Sequence, residues 1–281
     1  MKDVLIDTLL DGVKMLPFLL AAYLIIEYME HRAGDKLEAM LAGSGKYGPL
    51  GGALLGALPQ CGFSVVAANF YAGRVITRGT LIAVFLSTSD EAIPVMLSAP
   101  GNGRMLGWLI AVKVVVAVIA GMVIDLIDRR RGRTNISAEH HHDICSHCGC
   151  EEGGILRAAL HHTAVIFVFI LVVSLLLNSV FYLLGEETVG RLLLTNSPLQ
   201  PLLTAIFGFI PNCAASVVLT QLYLAGGISF GSVVAGLSTG AGIGTAVLFQ
   251  INRNWRENLR IVGLIYLIGA GAGMLMQVLA L

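Results

Sequence analysis

Charged residues are scarce in this chain. Asp, Glu, Lys and Arg make up 13% of its 281 residues, whereas a soluble domain carries about 25%. Hydrophobic residues make up 56%, and the mean hydropathy is +0.80. Formal net charge is zero, which gives no reason to expect a nucleic-acid partner. The scarcity of charge excludes an ordinary soluble domain and predicts an integral membrane protein.

Catalytic and secretory motifs are missing as well. No Gly-x-x-x-x-Gly-Lys-Ser/Thr loop occurs, so ATP is not expected to drive the chain. No Ser or Cys has a recognisable positioned base, so we expect neither an enzyme nor a resident cofactor. The first apolar stretch is too long for a cleavable signal and runs into Glu27 and Glu30. The five cysteines fall in two separate settings, which favours free thiols or metal ligands over disulfides.

What the chain does contain is a long repeat. The segment Leu58-Pro59-Gln60-Cys61-Gly62-Phe63-Ser64 returns as Ile210-Pro211-Asn212-Cys213-Ala214-Ala215-Ser216, at the constant offset 213 − 61 = 152. Further matches at this offset are Tyr71 with Tyr223, Ile76 with Ile228 and Gly79 with Gly231. After a slip of one residue, Leu86-Ser87-Thr88 aligns with Leu237-Ser238-Thr239. The chain is therefore two copies of one unit.

Long apolar stretches predict where the chain crosses the bilayer, which takes about 20 residues per helix. The expected spans are residues 4–29, 79–98, 105–127, 156–184, 228–249 and 259–281. Two more apolar stretches, residues 49–73 and 199–225, are broken by Pro59 and Pro211. We divide the chain into a first transmembrane repeat at 1–127, a His/Cys-rich linker at 128–156 and a second repeat at 157–281.

The orientation of the repeats depends on the Pro-broken stretches. If each crosses fully, the repeats are parallel, and the basic segments 129–133 and 253–260 face opposite sides. If each is a re-entrant hairpin, the repeats are inverted, and segments 32–46, 74–78, 129–133 and 253–260 all face the cytoplasm, as the positive-inside rule requires. We predict an all-α integral membrane protein of two inverted repeats, each with three transmembrane helices plus a Pro-broken re-entrant hairpin that reaches the midplane.

The hairpin tips carry the first candidate site residues. Cys61 and Cys213 would grip a thiophilic solute such as trivalent arsenic or a soft divalent metal, although a buried Cys also behaves as a small hydrophobe. Polar residues beside them either line the site or only form hydrogen bonds with the backbone groups that proline leaves without a helical partner. These neighbours are Gln60, Ser64, Asn212 and Ser216.

Two adjacent carboxylates, Asp90 and Glu91, lie inside an apolar span, where each charge costs about 3 kcal/mol. This cost predicts a cation site or proton relay, with Ser87 and Thr88 beside it; the alternative is an acid that is protonated or paired with the intramembrane Lys113. The second repeat has Thr239 and glycines there and no acids. Oxygen ligands suit hard cations such as Mn²⁺ and thiols suit softer ones, so both classes stay open.

The linker and the end of the first span hold the remaining candidates. Seven potential metal ligands fall within eleven residues: His140, His141, His142, Cys145, His147, Cys148 and Cys150. Short Cys/His tracts of this kind bind transition metals, and the alternative is a disordered connector. Glu27, Asp90, Glu91 and Lys113 are candidates for the groups that couple transport to proton movement. The alternative interpretation of Glu27 is that it only belongs to a solvated helix end.

The Pro-x-Cys-x-x-Ser repeats, the Ser-Thr-Ser-Asp-Glu-x-x-x-Pro segment and the His/Cys-rich loop resemble the ten-helix heavy-metal exporter family, whose members are labelled arsenic efflux proteins or manganese transporters. More distantly they resemble permeases that export trivalent organoarsenicals. The resemblance covers nearly the whole chain. It implies efflux of a metal or metalloid, and ten helices fit six crossings plus two hairpins of two half-helices each.

Together these features predict a secondary active transporter of the bacterial inner membrane. It would export a heavy-metal cation or metalloid, in antiport with protons, and a homodimer is a candidate assembly. Two alternatives remain open. One is a transporter of a small organic or inorganic anion, for which half-helix N-termini would bind the negative charge. The other is a membrane metal sensor that transports nothing.

Overall fold

The computed structural model describes residues 47–58, 61–89, 92–98, 102–132, 197–211 and 213–279, with scattered positions between 13 and 24 and between 156 and 175. Regular structure in these ranges is α-helical, and four of the described helical segments are long and apolar enough to cross a bilayer. The predicted all-α membrane protein is confirmed at that level. The predicted spans 4–29 and 156–184 lie largely outside the described residues.

The first repeat consists of a hairpin, a broken span and a long helix. Helix α1 has Pro49 in its first turn, where the missing N–H leaves no hydrogen bond unmade. Its gap to the next helix contains Pro59, so the predicted interruption is present. The helices are α1 Gly48–Gly56, α2 Cys61–Ala72, α3 Arg78–Ser87, α4 Ala92–Ser98 and α5 Gly103–Arg130.

The second repeat follows the same order. Its helices are α6 Gln200–Gly208, α7 Cys213–Leu224, α8 Phe230–Thr239, α9 Ile243–Ile251 and α10 Trp255–Val278. Helices α6, α7 and α8 begin and end at the sequence offset of their counterparts, since 200 − 48 and 239 − 87 both equal 152. Pro201 takes the place of Pro49 in the first turn. The repeat seen in the sequence thus extends to the helix bounds.

Each span between hairpin and long helix is broken, which the sequence analysis missed. The chain leaves α3 at Ser87 and enters α4 at Ala92, and it leaves α8 at Thr239 and enters α9 at Ile243. Gly242 in the second break has φ +54°, a conformation that favours glycine. The predicted spans at 79–98 and 228–249 coincide with the apolar segments Arg78–Leu97 and Phe230–Ile251, which are long enough to cross a bilayer. The sequence analysis did not predict that each consists of two helices, because Ser, Thr and Gly interrupt helices while lowering hydropathy little.

The structure also locates the one-residue slip between the repeats. A Cβ added to Gly56 would meet Ser87, and one added to Gly208 would meet Thr239. Both pairs obey the offset of 152, so the helices correspond up to their last residue. The alignment that pairs Ser87 with Ser238 is therefore wrong. The extra residue lies between the two helices of the span, because positions 88–91 separate them in the first repeat and positions 240–242 in the second.

The broken spans occupy the centre of the protein. The window within 78–97 is 75% buried and that within 230–251 is 83% buried, against 33% for α5 and 28% for α10. The long helices expose large apolar side chains such as Trp108, Ile119 and Leu267, as expected of surfaces that face lipid. Interrupted backbone therefore lies where protein surrounds it, the setting in which it is tolerated at membrane depth.

A junction of small residues joins three helices in each repeat. A Cβ added to Gly121 of α5 would lie 2.7 Å from the Gly79 carbonyl and 2.8 Å from Pro49 Cβ. In the second repeat, a Cβ on Gly273 would lie 2.6 Å from Ala235 Cβ and 3.2 Å from Pro201 Cβ. Small residues let backbones approach closely where lipid provides no hydrophobic driving force. The junction packs the hairpin and the long helix against the broken span.

The same side-chain type caps both broken spans. Thr77 accepts a hydrogen bond from the N–H of Thr80, and Ser229 accepts one from the N–H of Ser232, both at 3.1 Å. The Thr77 hydroxyl in turn donates to Asp125 of α5 at 2.7 Å. Such caps satisfy the free amides of a first helical turn. They fix where each broken span starts, relative to the long helix beside it.

Candidate functional site

The hairpin tips place the two cysteines at equivalent helix starts. Cys61 is the first residue of α2 and Cys213 the first of α7, and the side chains of both lie outside the described part of the structure. One turn further along, Ser64 and Ser216 are buried. A Cβ on Gly244 of α9 would lie 2.8 Å from Ser64 Oγ. The hairpin of the first repeat therefore packs closely on the broken span of the second.

The hairpin of each repeat packs on the broken span of the other repeat. Helix α2 packs on α9, and helix α7 packs on α4. Because α4 begins directly after Glu91, the helix that starts at Cys213 contacts the half-helix that follows the acidic break. Each cysteine thus begins a helix that packs on the half-helix following the other repeat's break.

The hydroxyl groups of the first break form hydrogen bonds with backbone carbonyls at the end of α3. Ser87 Oγ and Thr88 Oγ1 donate to the Val84 carbonyl at 3.0 and 2.7 Å, and Ser89 Oγ donates to the Ser87 carbonyl at 3.2 Å. All three serine and threonine side chains are buried. Their protons satisfy local carbonyls, and their oxygen lone pairs stay available to a cation or an N–H donor.

Lys113 connects the first break to the second repeat. This lysine lies ten residues into α5 and is fully buried. Its Nζ donates to the Thr88 carbonyl, to Ser89 Oγ at 2.9 Å and to the Leu237 carbonyl of α8 at 2.8 Å. The ammonium therefore binds oxygens of both broken spans, beside the segment that carries the two acids.

The second break is built from backbone and from one threonine. Thr239 Oγ1 donates to the Ala205 carbonyl of α6 at 2.7 Å and so fastens the end of α8 to the hairpin. Ser238 is fully buried, and its Oγ has no hydrogen-bond partner among the residues that the structure describes. No charged side chain occurs in this break, as the sequence indicates. The site is therefore asymmetric, with its charged groups in the first repeat.

A polar cluster away from the breaks was missed by sequence reasoning. The Tyr71 hydroxyl donates to the Glu257 carboxylate, and Arg74 approaches the same group at 3.2 Å. Asn252 donates to Asn258 Oδ1 at 2.7 Å next to it. The contact joins the end of α2 to the start of α10, across the two repeats. A signal was present, because Glu257 is the only acid after residue 187 and lies among three arginines.

Several predicted site residues lie outside the described residues. These are Glu27, Gln60, Asp90, Glu91 and Asn212, together with the linker residues His140, His141, His142, Cys145, His147, Cys148 and Cys150. Among the side chains in the described ranges, no three His, Cys, Asp or Glu residues lie close enough together to hold a metal ion. The assignments to these positions stay predictions.

Buried, interrupted helices with intramembrane polar groups define a class of protein: the membrane transporters, in which broken helices bind substrates near the bilayer centre. The family model described as "Putative, 10TM heavy-metal exporter" matches residues 1–188 and 180–280. The chain belongs to this family, which confirms the resemblance drawn from its motifs and supports a metal-transporting membrane protein rather than an enzyme. No curated protein and no solved structure matches the chain.

Proposed function

We propose that the chain is a secondary active transporter that exports a heavy-metal cation or metalloid across the bacterial inner membrane, in exchange for protons. The observation that carries this proposal is the pair of broken spans at the protein centre, bridged by the Lys113 ammonium. Asp90 and Glu91 directly follow Ser89 of the first break in the sequence. Interrupted helices supply carbonyl oxygens and half-helix ends for a cation. The acids would coordinate the cation or carry the coupling proton.

The contact between Arg74 and Glu257 supports inverted repeats. Parallel repeats would place the turn at residues 73–77 and the basic segment 253–260 on opposite membrane faces, about 30 Å apart across the hydrocarbon core. The two side chains instead lie 3.2 Å apart. Inverted repeats put both groups on the cytoplasmic face, together with the Arg-rich end of α5, in agreement with the positive-inside rule.

The topology can be tested with single cysteines at equivalent positions. Inversion requires that Ala72→Cys and Leu224→Cys, which are 152 residues apart, react from opposite sides with a membrane-impermeant thiol reagent in intact cells. Both changes would be made in a variant without other cysteines. Labelling of both positions from the same side would contradict inversion and favour parallel repeats.

The tip cysteines and the linker complete the proposed path. Cys61 and Cys213 would contact a thiophilic substrate, with Ser64 and Ser216 one turn away. The His/Cys-rich linker would collect metal in the cytoplasm and pass it to the central site. The protein would need no resident cofactor, because the metal is the transported substrate. A homodimer would bury part of the exposed apolar surface of the long helices.

Metal uptake into proteoliposomes tests the substrate. Wild type, Asp90→Asn and the Cys61→Ala/Cys213→Ala pair would be compared for Mn²⁺, Fe²⁺, Zn²⁺, Cd²⁺ and arsenite. Cation flux lost in Asp90→Asn supports a metal-cation exporter. Arsenite flux that depends only on the cysteine pair supports a metalloid exporter. Absence of all these fluxes would contradict the proposal.

The anion transporter is the second candidate, because a buried ammonium is a group that could attract a negative solute. The Lys113 ammonium, however, already donates to three oxygens, and two acids, Asp90 and Glu91, directly follow its partner Ser89 in the sequence. A sensor that transports nothing would lose its cellular response when the linker is deleted and keep it in Asp90→Asn. The flux measurement separates both alternatives from metal export.

A further inference from the structure

We propose that the Lys113 ammonium is a tethered cation that occupies a cation-binding position between the two broken spans, so that a transported cation must displace it. Lys113 would then determine which charges the site accepts. The inference rests on the proposed function and deepens it. It concerns how substrate gains access to the oxygens at the first break.

The first argument is the position of the charge. Ten residues from the start of α5 correspond to about 15 Å along the helix axis, which is mid-depth in a hydrocarbon core of about 30 Å. The side chain is fully buried. An ionisable group at this depth is costly and is a functional candidate by default. A packing role alone would be served better by an apolar side chain.

The second argument is the set of oxygens that the Lys113 ammonium binds. The Thr88 and Leu237 carbonyls and Ser89 Oγ are oxygens, and oxygens are also the ligands that hard metal cations take. Backbone carbonyls arranged around a point can replace the hydration shell of an ion. The ammonium makes the same contacts, because it is a compact charge with three N–H donors.

The third argument comes from the repeat. The position equivalent to Lys113 is Ile265, since 265 − 113 = 152, and that isoleucine is also fully buried. The break equivalent to 88–91 has neither the two acids nor the extra residue. The lysine and the acids therefore occur together in one repeat and are both absent from the other. This co-occurrence is expected if they form one electrostatic unit.

Mutual exclusion follows from these contacts. A divalent cation bound by the same oxygens would lie a few ångströms from the ammonium, and like charges at that distance repel strongly away from water. Lys113 must therefore leave the Leu237 carbonyl when the cation binds. Because that carbonyl belongs to the second repeat, substrate binding would release a bond between the repeats. Occupancy of the site is thereby linked to their relative movement.

Cation-dependent thermal unfolding of the full purified chain in detergent tests the inference. Mn²⁺ and Cd²⁺ would be titrated into wild type, Lys113→Met, Lys113→Arg and the matched control Ile265→Met. We expect Lys113→Met to bind at least about tenfold tighter than wild type, because the competing charge is gone. Lys113→Arg and Ile265→Met should stay close to wild type. Equal or weaker binding by folded Lys113→Met would overturn the inference.

A second measurement does not depend on metal transport. Methylammonium should raise the unfolding temperature of Lys113→Ala and leave wild type unchanged, because it restores the missing head group to the vacated oxygens. Tetramethylammonium has the charge without N–H donors and should stabilise neither protein. An equal effect of methylammonium on both proteins would overturn the inference. Methylammonium rescue together with absent metal flux in wild-type proteoliposomes would refute the transport proposal and leave the cation position standing.

Discussion

Replacing Gly121 with alanine should destabilise the first repeat in a way that the structure quantifies. The new methyl group would lie 2.7 Å from the Gly79 carbonyl oxygen and 2.8 Å from Pro49 Cβ. A carbonyl and a proline ring cannot rotate away, so helices α1 and α3 must move back from α5. Overpacking of this kind costs about 1–3 kcal/mol. The higher helix propensity of alanine returns about 0.5–1 kcal/mol.

Gly107→Ala is the matched control on the same helix, since no atom of the described residues lies within 4 Å of its added Cβ. This variant gains stability from the higher helix propensity of alanine and suffers no overpacking. The difference between the two variants should therefore be about 1–3 kcal/mol in the free energy of unfolding. Thermal or denaturant unfolding in detergent measures it. Equal stabilities for Gly121→Ala and Gly107→Ala would refute the close approach of the three helices.

The second repeat offers the same experiment independently. Gly273 faces the equivalent junction, whereas an added Cβ on Gly271, two residues earlier in α10, meets no atom within 4 Å in the described ranges. Gly273→Ala should be less stable than Gly271→Ala by a similar amount. A loss in one repeat only would show that the two junctions are not equivalent in energy, contrary to their shared geometry.

Three further predictions concern the site. Gly244→Ala should reduce both stability and transport, because the added Cβ would lie 2.7 Å from Ser64 Cβ; normal flux would contradict close packing there. Ser238→Ala should be neutral or up to about 1 kcal/mol stabilising, since its hydroxyl has no partner within the described part of the chain. Thr239→Val should lose about 1 kcal/mol with its hydrogen bond to α6, and unfolding measurements compare the two variants. Glu257→Gln should cost about 1–3 kcal/mol, because it weakens a charged bridge between the repeats, and unchanged stability would argue against that bridge.

Much of the architecture could be predicted from the sequence, because a duplication leaves its record in residue spacing. The offset of 152 anticipated the helix bounds of the second repeat, and the prolines anticipated the interrupted hairpins. Intramembrane polar residues marked the first break as a functional candidate. These signals can be read from the sequence alone, so they need no knowledge of tertiary contacts.

What the sequence did not reveal depends on three-dimensional packing. The second break has the apolar composition of a continuous span, and only the geometry around Gly242 distinguishes it. The bridge from Lys113 to Leu237 joins residues 124 positions apart, and that from Arg74 to Glu257 joins residues 183 apart. No periodicity or motif predicts such pairs, although the second one supports the proposed inverted topology.

The most direct test of the account records metal and protons in the same vesicles. Proteoliposomes with a trapped metal-sensitive dye and a trapped pH dye would hold either wild type or Asp90→Asn. The account predicts metal entry with proton exit in wild type and neither signal in the variant. Equal metal flux in both proteins, or metal movement with no change in internal pH, would contradict proton-coupled transport at this site.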